Sequence, residues 1–98
     1  MDRAEVISKL REHESELKAA GIVRLSVFGS VARGENASQS DIDLLADFDK
    51  SRRYTLLTMG KLESHLSDLL GTKVDLASPD WLDEPVKRQA LREAVVAF

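Results

Sequence analysis

The chain has 98 residues, enough for one domain with an ordinary core and too few for a second, substrate-holding one. Its 17 acidic residues outnumber 14 basic ones, for a formal charge of -3, so it lacks the basic excess that marks non-specific nucleic-acid binding, and no direct nucleic-acid binding is expected. It has no cysteine, which excludes disulfides and thiolate metal sites and leaves hard oxygen ligands.

Residues 2–20 place Val6, Ile7, Leu10 and Leu17 at helical spacing among charged residues, and Gly21 is positioned to stop that helix. This segment is charged throughout, and no apolar run anywhere approaches the roughly 18 residues of a membrane span, so neither a signal peptide nor a transmembrane helix is expected and the reading is cytoplasmic. Ile22–Phe28 is short and rich in Ile, Val, Leu and Phe, as a mostly buried strand would be. Residues 30–35 suit a short helix ended by Gly34, and residues 36–40 form a polar loop. A second strand over residues 41–48 puts Asp41, Asp43 and Asp47 on one face, with Ile42 and Leu44 directed to the core.

After a polar turn at residues 49–53, Leu56, Met59, Leu62, Leu66, Leu69 and Leu70 share one helical stripe, read as core, that stops at Gly71. Residues 73–77 give a third strand, broken by Ser78-Pro79-Asp80. Residues 84–98 give a last helix with Val86, Ala90, Leu91, Ala94, Val95 and Phe98 inward. The order helix, strand, strand, helix, strand, helix, with no repeat or linker, predicts a single α/β (α+β) domain over residues 1–98. Its core would be a mixed sheet of about three strands packed with helices.

Chemistry concentrates between Gly29 and Leu45. The turn Gly29-Ser30 follows an apolar strand; glycine lets backbone approach a phosphate closely, amides at a helix start point outward, and Ser30 adds a hydroxyl. The next strand carries Asp41-Ile42-Asp43. Two carboxylates so close raise each other's pKa unless a cation neutralises them, so the pair predicts a divalent metal, magnesium among hard cations. Either half alone is a weak signal; the two together in this order are specific.

These residues resemble the nucleotidyltransferase superfamily of the DNA polymerase β type, and within it the minimal nucleotidyltransferases. The shared pattern is Gly29, Ser30, Ala32, Arg33 and Gly34, then Ser40, Asp41, Asp43 and Leu44, then Asp75 in an apolar strand. The run Arg92-Glu93-Ala94-Val95 also resembles the family's ending. The resemblance implies a nucleotidyltransferase fold in which Gly29 and Ser30 hold the β- and γ-phosphates of ATP, with Arg33 and Ser40 as further nucleotide-binding candidates. It also implies Asp41, Asp43 and Asp75 as catalytic ligands of two Mg2+ ions, Asp75 being the carboxylate nearest the attacking hydroxyl. Many such proteins are antitoxins that transfer AMP to a tyrosine of a helical HEPN-family ribonuclease toxin, so the implied partner is such a toxin. The alternatives are transfer to a small molecule of aminoglycoside type and a non-catalytic antitoxin that neutralises by binding.

Other residues carry competing readings. Arg33 suits bidentate phosphate contacts but can equally pair with Glu35 or a nearby Asp. Ser40 is also a natural hydrogen-bonding turn residue. His13 and His65 read as solvated helix residues, Asp47 and Asp49 as a strand end, and the cluster Arg52-Arg53-Tyr54 as a solvated loop. Trp81 reads as a cap packed over the last helix. Trp81 or a sheet edge offers a route to a homo-oligomer.

Overall fold

The computed structural model describes residues 2–35 and 41–98. The Asp2 carboxylate accepts from the Glu5 N–H at 2.9 Å and so caps α1, Arg3–Glu12. The single N-terminal helix expected from spacing is in fact two, because His13 leaves helical geometry (φ -107°, ψ 16°) before α2, Glu14–Ala19, begins. Strand β1, Ile22–Phe28, leads directly into the one-turn helix α3, Gly29–Ala32. Strand β2, Ile42–Phe48, is followed by α4, Leu56–Leu70, whose start is fixed by reciprocal hydrogen bonds between Thr55 and Thr58. Strand β3, Val74–Ala77, a short turn at Pro79–Trp81 and α5, Glu84–Glu93, complete the expected elements.

The sheet has four strands rather than three, in the order β3-β2-β1-β4. The last helix stops at Glu93 because Ala94 is extended (φ -62°, ψ 134°), and β4, Val95–Val96, then pairs antiparallel with Ser26 and Val27. Backbone pairing along the β1 edge thus prevails over helical spacing, and two β-branched valines favour the extended form. Strands β1 and β2 are antiparallel, whereas β2 and β3 are parallel with α4 as the crossover between them.

The core fills one face of the sheet. Val6, Leu10 and Leu17 from α1 and α2, and Leu62, Leu66 and Leu70 from α4, pack on Leu25, Val27, Ile42, Leu44 and Val74. On the opposite face, Ser26 and Leu45 are buried, and α5 contributes the buried Ala90. Two expectations about core residues fail. Leu56, in the first turn of α4, is 94% exposed, and Val86 and Leu91 of α5 are each 51% exposed. Helix α5 is short and packs on β1, α3 and the turn at Pro79–Trp81, which leaves much of its apolar surface uncovered. Among the described residues no helix is long and apolar enough to cross a membrane.

Candidate functional site

The opposite face of the sheet carries the carboxylates at one end. Register pairs Phe28 with Asp43 across β1 and β2, and Asp43 with Asp75 across β2 and β3. Neighbouring strands are about 4.8 Å apart, so Asp43 and Asp75 stand side by side on the same face. Asp41 lies just before β2 and half-exposed, with Lys73 Nζ 3.6 Å from its Oδ2. Ile42 and Leu44 point into the core as the alternation requires, at 2% and 0% exposure.

Gly29 closes this row from the β1 side. Its φ of +71° is a backbone conformation that side chains resist. A β-carbon there would lie 3.2 Å from Asp43 Cγ and 3.3 Å from Asp43 Cβ, and would overlap the carboxylate oxygen Oδ2. The glycine is therefore required at once by backbone angle and by the approach of the turn to Asp43. Ser30 follows it in α3, half-buried, with its carbonyl accepting from the Glu35 N–H at 2.9 Å. With only four residues, α3 offers local amides rather than a summed helix dipole.

Crowding shows in the electrostatics. Burial, and then the charges of Asp75 and Asp41, push the Asp43 carboxyl above its ordinary range, while Arg33 pulls it partly back. Arg33 itself bonds Glu35 and Glu93, its Nη1 lying 3.0 Å from Glu93 Oε2. Those carboxylates raise its already high pKa further, Glu35 most. Arg33 is thus ion-paired, as the competing reading of this residue expects, and its charge also bears on Asp43.

The structure therefore brings together Gly29, Ser30, Arg33, Asp41, Asp43 and Asp75 from three segments of the chain. Ser40 lies outside the described residues. Asp47 is not part of the group: it sits toward the other end of β2, exposed and opposite Arg24. Glu93, which holds Arg33, and Lys73, beside Asp41, were not singled out from sequence. Both are ordinary charged residues whose only signal is long-range position.

Among the described residues no group of three or more His, Cys, Asp or Glu side chains is arranged to hold a metal ion. The donor chemistry of the row nonetheless suits Mg2+, which takes oxygen ligands, keeps several waters and commonly uses only one or two carboxylates from the protein. A cation there would also offset the repulsion that raises Asp43.

His13 and His65 are not isolated: both face the Glu16 carboxylate, at 3.3 and 3.0 Å, tying α2 to α4, and the pairing lowers the pKa of Glu16, His65 most. Tyr54 donates to the carbonyls of Gly21 and Asp49, each at 3.2 Å, so it anchors its loop rather than facing solvent. Trp81 stacks on Phe48 at 5.8 Å and is still 56% exposed, in a turn that packs against α5. A cavity of about 830 Å³ opens beside Phe48, Tyr54, Met59 and Trp81. Asp47, on its rim, is about 13 Å along β2 from Asp43 at the usual rise per residue, so this cavity is separate from the carboxylate row.

Comparison with known proteins gives a consistent picture. Residues 7–97 match the family described as the nucleotidyltransferase domain. The chain is 39% identical over 92 residues to protein adenylyltransferase MntA of Thermococcus cleftensis, covering 93% of this chain and 91% of that protein. It is 37% identical over 94 residues to a candidate protein adenylyltransferase of Methanocaldococcus jannaschii, covering 95% of this chain and 94% of the relative. A solved candidate minimal nucleotidyltransferase superposes with a TM-score of 0.81 at 41% identity, over 97% of this chain and 95% of the other. A chain from a toxin–antitoxin crystal structure with AMP-PNP superposes with a TM-score of 0.71, over 100% of this chain and 73% of the other; at 18% identity this speaks for the fold alone.

Proposed function

The chain belongs to the nucleotidyltransferase domain family, and from that premise we propose that it transfers AMP from ATP to a protein hydroxyl, a tyrosine of a HEPN-family ribonuclease toxin, and so acts as an antitoxin. One observation carries the catalytic reading: Asp43 and Asp75 stand opposite each other across β2 and β3, with Gly29 pressed against Asp43. A core row would not hold two carboxylates side by side, because their repulsion would be uncompensated. The protein acceptor is supported by the names of relatives that are 37% to 39% identical and of nearly equal length. The toxin partner is suggested by the name MntA, which the 39% identical relative shares with a component of a solved MntA–HepT toxin–antitoxin complex.

In this reading the backbone of Gly29 and Ser30, together with the Ser30 hydroxyl, donates hydrogen bonds to the β- and γ-phosphates. Arg33 adds positive charge to the same groups, and Ser40 is a further donor to the nucleotide. Asp41, Asp43 and Asp75 would hold two Mg2+ ions, which supply charge neutralisation to the triphosphate and the departing pyrophosphate. Asp75, the exposed carboxylate of the row, takes the proton of the acceptor hydroxyl. The acceptor oxygen bonds to the α-phosphorus as the bond from that phosphorus to the β-phosphate bridging oxygen breaks, and pyrophosphate leaves. Most of the rate enhancement is orientation and charge stabilisation.

The test is purified protein with Mg2+, α-labelled ATP and a co-expressed helical ribonuclease. Label on the ribonuclease that is absent with Asp41→Asn/Asp43→Asn supports the reading, and no label above that control overturns it. Suppression of toxicity by the variant lacking all three carboxylates would instead favour neutralisation by contact.

A further inference from the structure

Arg33 is held on two edges by two carboxylates of very different character. On one edge its Nη1 donates to Glu93 Oε2 at 3.0 Å. Glu93 closes α5, its side chain is 23% exposed, and its other oxygen accepts from Gln89 Nε2 at 3.3 Å, so this carboxylate is oriented from within its own helix. On the other edge Nε and Nη2 donate in parallel to the two oxygens of Glu35, at 3.3 and 3.2 Å. Glu35 is 62% exposed, and an exposed ion pair of this kind holds only weakly.

The Nε/Nη2 edge is the fork that fits two oxygens of one planar or tetrahedral anion, and a phosphate matches it as well as a carboxylate does while carrying more charge. The Nη1 edge remains available to Glu93 at the same time, because a guanidinium has five N–H donors in a fixed plane. We propose that Glu93 is a positioning residue that anchors Arg33 beside the Gly29-Ser30 turn, while Glu35 occupies its phosphate-facing fork until a nucleotide phosphate displaces it. This inference rests on the nucleotide-binding reading above and adds a division of labour between two glutamates. The two carboxylates then act in opposite directions on the same arginine: Glu93 supports nucleotide binding and Glu35 competes with it.

Opposite signs make the test sharp. Binding of AMP-PNP with Mg2+ to the whole chain is measured by calorimetry for Glu35→Gln, Glu93→Gln and each combined with Arg33→Ala, with a thermal melt of each variant as a check on folding. Glu35→Gln is expected to tighten binding about two- to fivefold, and Glu93→Gln to weaken it about threefold or more. In the Arg33→Ala background neither substitution should change the Kd, which separates an effect routed through Arg33 from a general loss of negative charge. Weaker or unchanged binding by Glu35→Gln, tighter or unchanged binding by Glu93→Gln, or effects that persist without Arg33, would overturn the arrangement while leaving the nucleotide reading intact. Failure of the unsubstituted protein to bind AMP-PNP would overturn both. Glu35 lies on the exposed surface, so its variant keeps the test decisive even if Glu93→Gln unfolds.

Discussion

Replacing Gly29 by alanine tests the approach of the turn to Asp43. Two separate costs attach to the added methyl group. The left-handed backbone, at φ +71°, disfavours any β-carbon by about 1–2 kcal/mol. Forcing a methyl group against Asp43, whose Cγ would be 3.2 Å away, adds an overpacking cost of about 1–3 kcal/mol. Gly34 is the internal control, because it has a similar φ of +77° but nothing within 4 Å of a β-carbon, so Gly34→Ala should incur the backbone cost alone. Urea denaturation in metal-free buffer should therefore find Gly29→Ala less stable than Gly34→Ala by about 1–3 kcal/mol, a difference of several degrees in Tm for a domain of this size. Repeating Gly29→Ala in an Asp43→Ala background removes the carboxylate and leaves only the Asp43 Cβ at 3.3 Å, so most of the excess should vanish. Equal costs at Gly29 and Gly34, or an excess at Gly29 that survives loss of the Asp43 carboxylate, would refute the close approach on which the site rests.

Other perturbations follow from the same geometry. Asp43 has a raised pKa in the folded state, so its contribution to stability is present below the unfolded value of 3.8 and is lost as pH rises through the folded pKa. Asp43→Asn should accordingly melt higher than the unsubstituted protein in metal-free buffer at neutral pH, with the gap closing as pH falls toward 3.8, while nucleotide transfer is abolished. Magnesium should raise the Tm of the unsubstituted protein and leave that of the variant nearly unmoved. Tyr54→Phe removes the hydroxyl that bonds the Gly21 and Asp49 carbonyls, and should cost about 0.5–1.5 kcal/mol in denaturation with transfer activity retained. Leu66→Ala, at a side chain with 0% exposure, should cost about 2–5 kcal/mol by the same assay.

The fold class and the shared face of the candidate carboxylates were legible in the sequence, while element ends and long-range pairings were not. Alternation along β2 placed Ile42 and Leu44 inward and left Asp43 on the other face, a local inference that needs only the pleat. That Asp75 stands beside Asp43 depends on the parallel register of β2 and β3, which a resemblance could supply but periodicity could not. Gly29 was legible as a special position for a related but different reason: the structure shows its missing side chain accommodating Asp43. Strand β4 was not legible, because Ala90, Leu91, Ala94, Val95 and Phe98 satisfy helical spacing, and only pairing with Ser26 and Val27 decides against it. The break at His13 and the exposure of Leu56 escaped for the same kind of reason. Helical spacing tells which residues share a face but not where the helix is interrupted or which part of that face meets a neighbour. In sequence Glu93 reads only as part of a terminal run, since its link to Arg33 spans 60 positions.

The position of the label decides whether this site moves AMP. With the proposed toxin partner present, ATP labelled at the α-phosphate should mark the partner protein and ATP labelled at the γ-phosphate should not, and Asp43→Asn should abolish the mark. Label arriving from the γ-phosphate, or α-label transferred equally well by Asp43→Asn, would contradict nucleotidyl transfer at the row of Gly29, Asp43 and Asp75.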